Sequence, residues 1–139
     1  MPDPHKKIYE LDEAREKIRA FCAYRERSQV EAREKLFSYG LIPEVVDELL
    51  VELIQQDFLS EERFARAYVR GKFRIKKWGR QKIKTGLHRH GLSTYVLNKA
   101  FAEIDDKAYE ETLDELLQAK YRDTRETNVF RKKGRVARW

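Results

Sequence analysis

The chain has 139 residues, 41% of them hydrophobic and 39% charged, with 30 Lys plus Arg against 24 Asp plus Glu. That length suits one modest domain or a few very small ones and excludes large multi-domain enzyme architectures. One cysteine, Cys22, excludes an intramolecular disulfide and a cysteine-built zinc site, and no window approaches the ~20 apolar residues of a membrane span, so a reducing, cytoplasmic setting is expected.

The prolines stand at positions 2, 4 and 43, which leaves most of the body free of helix breakers. From Ala14, the apolar residues Ile18, Phe21 and Cys22 recur at helical spacing and predict a first helix ending near Arg25. Ser28 with Glu31 three residues on is a capping-box pattern, in which hydroxyl and carboxylate each satisfy an unpaired backbone N–H, and it opens a second helix that Gly40 stops. Pro43 suits a first helical residue, and Val45, Val46, Leu49, Leu50, Leu53 and Ile54 give the third helix a broad apolar stripe.

The cycle then repeats. Ser60, followed by Glu61 and Glu62, begins a fourth helix carrying Phe64, Ala65, Tyr68 and Val69. Gly79 to Arg89 is a short fifth helix burying Ile83 and Leu87. Gly91 then punctuates the chain, and Ser93 caps a sixth helix with Val96, Leu97, Ala100, Phe101 and Ile104. An offset of 51 residues superposes Leu36 on Leu87, Gly40 on Gly91, Leu41 on Leu92, Val45 on Val96, Val46 on Leu97 and Leu50 on Phe101, the mark of an internal repeat.

A seventh stripe, Tyr109, Leu113, Leu116, Leu117 and Tyr121, follows Asp105, and Phe130 to Trp139 reads as the start of an eighth helix whose Val136 and Trp139 would be exposed. The expected fold is all-α: tandem three-helix repeats, helix-turn-helix-like units, in an elongated array. The expected divisions are an N-terminal tail over 1–11, repeats over 12–56 and 57–104, and an incomplete third repeat over 105–139.

The net charge of +6 conceals a block pattern. Residues 40–62 hold seven acids and no base, residues 63–102 hold 12 bases and no acid, and residues 103–118 hold seven acids and one base. Such a basic stretch projects a positive field unless its acidic flanks fold over it, and its expected partner is a polyanion or an acidic protein surface.

Three strings carry a family resemblance: Ser28-Gln29-Val30-Glu31-Ala32-Arg33-Glu34-Lys35-Leu36 leading to Gly40; Asp57-Phe58-Leu59-Ser60-Glu61-Glu62-Arg63-Phe64-Ala65; and Trp78-Gly79-Arg80-Gln81-Lys82-Ile83 leading to Leu87 and Gly91. On them the chain resembles RecX, the bacterial regulator of the RecA recombinase, over residues 12 to 104 and more loosely beyond. The resemblance implies tandem three-helix units without catalytic activity, which bind the RecA filament on DNA and suppress its ATPase and strand exchange, and so act in recombination, DNA repair and the SOS response. The third unit departs from the pattern because it lacks its closing glycine and third helix.

The residues themselves single out Arg70, Lys72, Arg74, Lys76, Lys77, Arg80, Lys82 and Lys84 around the connection into the fifth helix, with Trp78 among them. Arg80, Lys84 and His88 fall at helical spacing on one stripe that can track phosphates, a contact that is salt-sensitive and says little about sequence. Trp78 either stacks on unpaired bases or packs in the core. Arg131, Lys132, Lys133 and Arg135 form a second basic patch, read either as lining the same groove or as a solvated tail.

Enzyme signals are weak. His88 and His90 diverge on a helix, the glycines make neither nucleotide-binding fingerprint, and Cys22 lies on an apolar stripe, so no catalytic residue, metal or cofactor is assigned. The third helix of each unit carries the wrong charge for a major-groove reader, since the first has Glu44, Asp47, Glu48 and Glu52 and the second only Lys99. The expected role is regulation by occupancy of a recombinase filament by a monomer that binds DNA weakly and non-specifically; the alternative is a free-standing non-specific DNA-binding protein.

Overall fold

Local capping chemistry sets the helix boundaries. The computed structural model describes residues 9–124, which form α1 (Leu11–Tyr24), α2 (Gln29–Ser38), α3 (Pro43–Gln55), α4 (Glu61–Arg74), α5 (Arg80–Leu87), a 3₁₀ turn (His88–His90), α6 (Thr94–Phe101) and α7 (Asp106–Thr124), with no strand among them. The Ser28 hydroxyl accepts the Glu31 N–H while the Glu31 carboxylate accepts the Ser28 N–H, closing the capping box, and Ser60 and Ser93 cap α4 and α6 through the N–H groups of Arg63 and Val96. The fold is therefore all-α, built of tandem helical repeats.

Two boundaries differ from the sequence reading. The fifth helix is shorter than Gly79 to Arg89: Gly79 is its cap, and after Leu87 the backbone tightens into the 3₁₀ turn before Gly91 takes a left-handed conformation at φ 62°. Tyr9, assigned to the tail, packs edge-on against Tyr39 at 5.2 Å and donates its N–H to the Tyr39 carbonyl. The eighth helix with Val136 and Trp139 lies outside the described residues.

The repeat is written into the core as well as into the punctuation. Ala14, Ile18, Cys22, Ala32, Leu36, Leu49 and Leu53 are buried, and adding 51 to each gives Ala65, Val69, Phe73, Ile83, Leu87, Ala100 and Ile104, which are also buried. The first set belongs to a cluster formed by α1–α3 and the second to a separate cluster formed by α4–α6. Gly40 and Gly91, again 51 apart, both have positive φ, the conformation that lets the chain leave α2 and α5 without Cβ strain. On α5, Gly86 leaves room for the Tyr68 hydroxyl, which stands where a Cβ would be, so α4 and α5 approach closely there.

Tyr39 and His90 are also 51 apart and both buried, but they serve different ends. Tyr39 closes the first core, whereas His90 reaches back into the first repeat. Its Nδ1 lies 2.6 Å from the hydroxyl of Ser28, which is fully buried. Ser28 Oγ also accepts the Glu31 N–H, and with the ring neutral and protonated on Nε2 the hydroxyl donates its proton to His90 Nδ1. The ring also packs on Phe64 at 4.7 Å, and burial followed by the neighbouring Arg89 pushes its pKa down. Around this buried joint, Arg63 pairs with Glu26 at 3.1 Å and Arg89 with Glu34 at 3.3 Å, tying the second repeat to the first.

Candidate functional site

Ion pairing divides the basic block into two groups. The acidic flanks, together with Glu26 and Glu34 of the first repeat, do fold onto part of it: Arg63 pairs with Glu26 and Asp57, Arg66 with Glu62 and Glu103, Arg80 with Asp106, Arg89 with Glu34, and Lys99 with Glu62. The premise that the block escapes neutralisation is thereby corrected for these five side chains, whose acidic partners all lie outside residues 63–102. The remaining bases, Arg70, Lys72, Arg74, Lys76, Lys77, Lys82 and Lys84, form no ion pair among the described residues. Interrupted only by the paired Arg80, they run from the last two turns of α4 through the connecting turn into α5.

Backbone geometry fixes that turn. Trp78 donates its N–H to the Lys72 carbonyl at 2.9 Å, and Lys77 takes a left-handed conformation at φ 58°, unusual for a residue with a side chain. The half-buried Trp78 has both readings at once: one part of its ring packs near Gly86, while the Lys72 and Lys82 ammonium groups stand 4.7 and 4.6 Å from the ring centroid. An aromatic ring with two ammonium groups beside it suits an anionic ligand.

Arg80 behaves differently from its neighbours. Its guanidinium bonds Asp106 at 2.9 Å and lies over the Tyr109 ring at 4.2 Å, so it ties α5 to the start of α7. The predicted stripe of Arg80, Lys84 and His88 therefore contributes a free cation only at Lys84 among its two permanent charges. Leu113, Leu116 and Leu117 of α7 stand across from Trp78 and bound, with the lysines of the turn, a groove of about 230 Å³. Arg131, Lys132, Lys133 and Arg135 lie outside the described residues.

The remaining chemistry is structural. Cys22 is buried in the first core, and burial above all pushes its thiol up to about 11, which keeps it protonated and unreactive near neutrality. Lys99, the one base of α6, is held by Glu62 and by the Tyr95 ring at 4.9 Å, which leaves that helix without a free cation for a DNA groove. Among the described residues, no helix is long and apolar enough to cross a membrane. Sequence reasoning found the basic turn but missed the buried Ser28–His90 contact, for which a lone histidine at the repeat position of a buried tyrosine was the available signal.

Comparison with known proteins agrees with this architecture. A family described as "RecX, second three-helix domain" matches residues 60–100, the segment that holds α4 to α6. Regulatory protein RecX of Pseudomonas savastanoi pv. phaseolicola is 34% identical over 101 residues, covering 71% of this chain and 63% of that protein. The Clostridium perfringens strain 13 protein of the same name is 29% identical over 107 residues, 77% of this chain and 47% of that protein, and that of Lactobacillus johnsonii is 26% identical over 90 residues, 65% and 33%. The chain thus spans between a third and about half the length of several of these relatives. The crystal structure of RecX from Lactobacillus salivarius superposes with a TM-score of 0.78 at 20% identity, covering 91% of this chain and 82% of that one. A second crystal structure, of regulatory protein RecX, gives 0.82 at 20% identity, with 91% and 62% covered.

Proposed function

The chain belongs to the RecX family of regulatory proteins, and from that premise we propose that it binds the RecA recombinase filament on DNA and restrains its ATP hydrolysis and strand exchange. The observation that carries the proposal is the run of seven cations from Arg70 to Lys84 without ion-pair partners, on the repeat that matches the family's second three-helix domain. A charge field held on two packed helices and a hydrogen-bonded turn is preorganised, so the cations need little further ordering to meet phosphate or an acidic protein surface.

Function by occupancy needs no reacting group. A protein seated along the filament opposes the subunit rearrangements that accompany hydrolysis, provided it binds one filament state more tightly than the other. The division into repeats supports a multi-point mode of seating: each repeat has its own core, and the Ser28–His90 joint fixes one relative to the next. Action on a recombinase would place the protein in the cytoplasm as a non-catalytic regulator.

A free-standing, non-specific DNA-binding role is the second reading, favoured by Trp78 between Lys72 and Lys82. Titrating the protein into recombinase ATPase reactions at two concentrations of single-stranded DNA separates the two. Inhibition that follows the recombinase and ignores added DNA supports the filament regulator; inhibition relieved by added DNA supports competition for the nucleic acid.

A further inference from the structure

The groove between Trp78 and α7 has a floor unlike a phosphate track. Leu113, Leu116 and Leu117 form an aliphatic wall with Lys120 of the same helix beside it, and Lys76, Lys77 and Lys82 line the groove from the α4–α5 turn and α5. In the first repeat, α3 presents the reciprocal surface. Glu44 and Glu48 are exposed without ion-pair partners among the described residues, and Val51 and Ile54 are 53% and 44% exposed on the following turns. At helical spacing Glu44, Glu48 and Val51 form one stripe, with Ile54 alongside it.

From this complementarity we propose that the exposed face of α3 in one copy docks into the lysine-rimmed leucine groove of another, producing head-to-tail chains. Val51 and Ile54 meet the α7 leucines, while Glu44 and Glu48 meet the lysines of the α4–α5 turn. This replaces the expected monomer, and it requires neither recombinase nor DNA. The two surfaces are different patches of the same chain, so the contact is heterologous and does not close on itself in a pair. A second copy suits the groove better than a nucleic acid because α3 offers aliphatic side chains to the α7 leucines as well as carboxylates to the lysines, whereas a phosphate backbone offers the aliphatic wall nothing to bury. On α3 the unpaired acids occupy the first half and the aliphatic anchors the second, which lets charge and apolar surface seat separately.

Sedimentation velocity across a wide protein concentration range, at low and at high salt, tests this directly. The expected result is a sedimentation coefficient that rises with concentration at low salt and less at high salt. Glu48→Lys and Lys82→Glu should each weaken association at least about tenfold, and mixing the two should restore it, because each reversed face then finds a reversed partner. Val51→Asp and Leu116→Asp should each block one end; neither grows alone, and a mixture stops at pairs. Circular dichroism confirms that the variants remain helical. A single-copy species at every concentration in low salt would overturn the proposal. So would a Val51→Asp plus Leu116→Asp mixture that never pairs, or a single-copy protein whose binding of an oligonucleotide depends on Leu116.

Discussion

Ser28→Ala tests whether one hydroxyl serves both a helix cap and the joint between repeats. Ser28 is fully buried, accepts the Glu31 N–H at 3.1 Å and stands 2.6 Å from His90 Nδ1. Losing the cap costs about 1 kcal/mol, and leaving a buried ring nitrogen without its donor costs a further ~1–3 kcal/mol, so the total is about 2–4 kcal/mol. Ser60 and Ser93 provide internal controls, since each caps a helix through one backbone N–H without a comparable buried histidine. Their alanine variants should lose only about 1 kcal/mol each. Urea unfolding followed by circular dichroism measures the differences, with an unchanged slope showing that the midpoint reflects stability. The double variant Ser28→Ala/His90→Phe should recover part of the loss, because replacing both partners removes the orphaned acceptor while the cap stays missing. A Ser28→Ala variant no less stable than Ser60→Ala would show that the contact with His90 contributes nothing.

The same geometry supports further expectations. Gly86→Ala should destabilise by about 1–3 kcal/mol because its methyl group meets the Tyr68 hydroxyl, and a Tyr68→Phe background should recover most of that loss in the same urea assay. His90 has a lowered folded-state pKa, so the folded protein binds fewer protons than the unfolded chain, and stability that is full above the ordinary histidine value is lost as pH falls through the folded one. Wild type should therefore weaken more than His90→Gln as pH is lowered from neutrality; parallel profiles would contradict this. Reversing Lys76, Lys77, Lys82 and Lys84 to glutamate should abolish filament binding while leaving helicity intact, whereas Arg80→Glu should chiefly cost stability by breaking its contacts with Asp106 and Tyr109. Retained filament binding by the lysine variant would remove the site assignment.

The parts of the fold that were legible in the sequence are those set by local physics. Ser28, Ser60 and Ser93 cap helices because a hydroxyl reaches an N–H three residues on, and Gly40 and Gly91 end them because positive φ is open to glycine. The 51-residue offset was visible because equivalent core positions need equivalent apolar residues. Features that depend on distant partners were not legible. Arg80 reads as one more free cation until Asp106, 26 residues away, is seen beside it. His90 reads only as a histidine diverging from His88 until the 62-residue return to Ser28 closes over it. Within the candidate site, the sequence located the cations, while the exemption of seven of them from pairing depended on where the acidic flanks fold.

The proposed role is to restrain a recombinase filament rather than to compete for DNA. Steady-state ATP hydrolysis by the cognate recombinase on single-stranded DNA, titrated with this protein at two DNA concentrations, measures that difference most directly. A filament regulator gives inhibition whose midpoint follows recombinase concentration and is unmoved by excess DNA; a midpoint that shifts in proportion to added DNA would show competition for DNA instead.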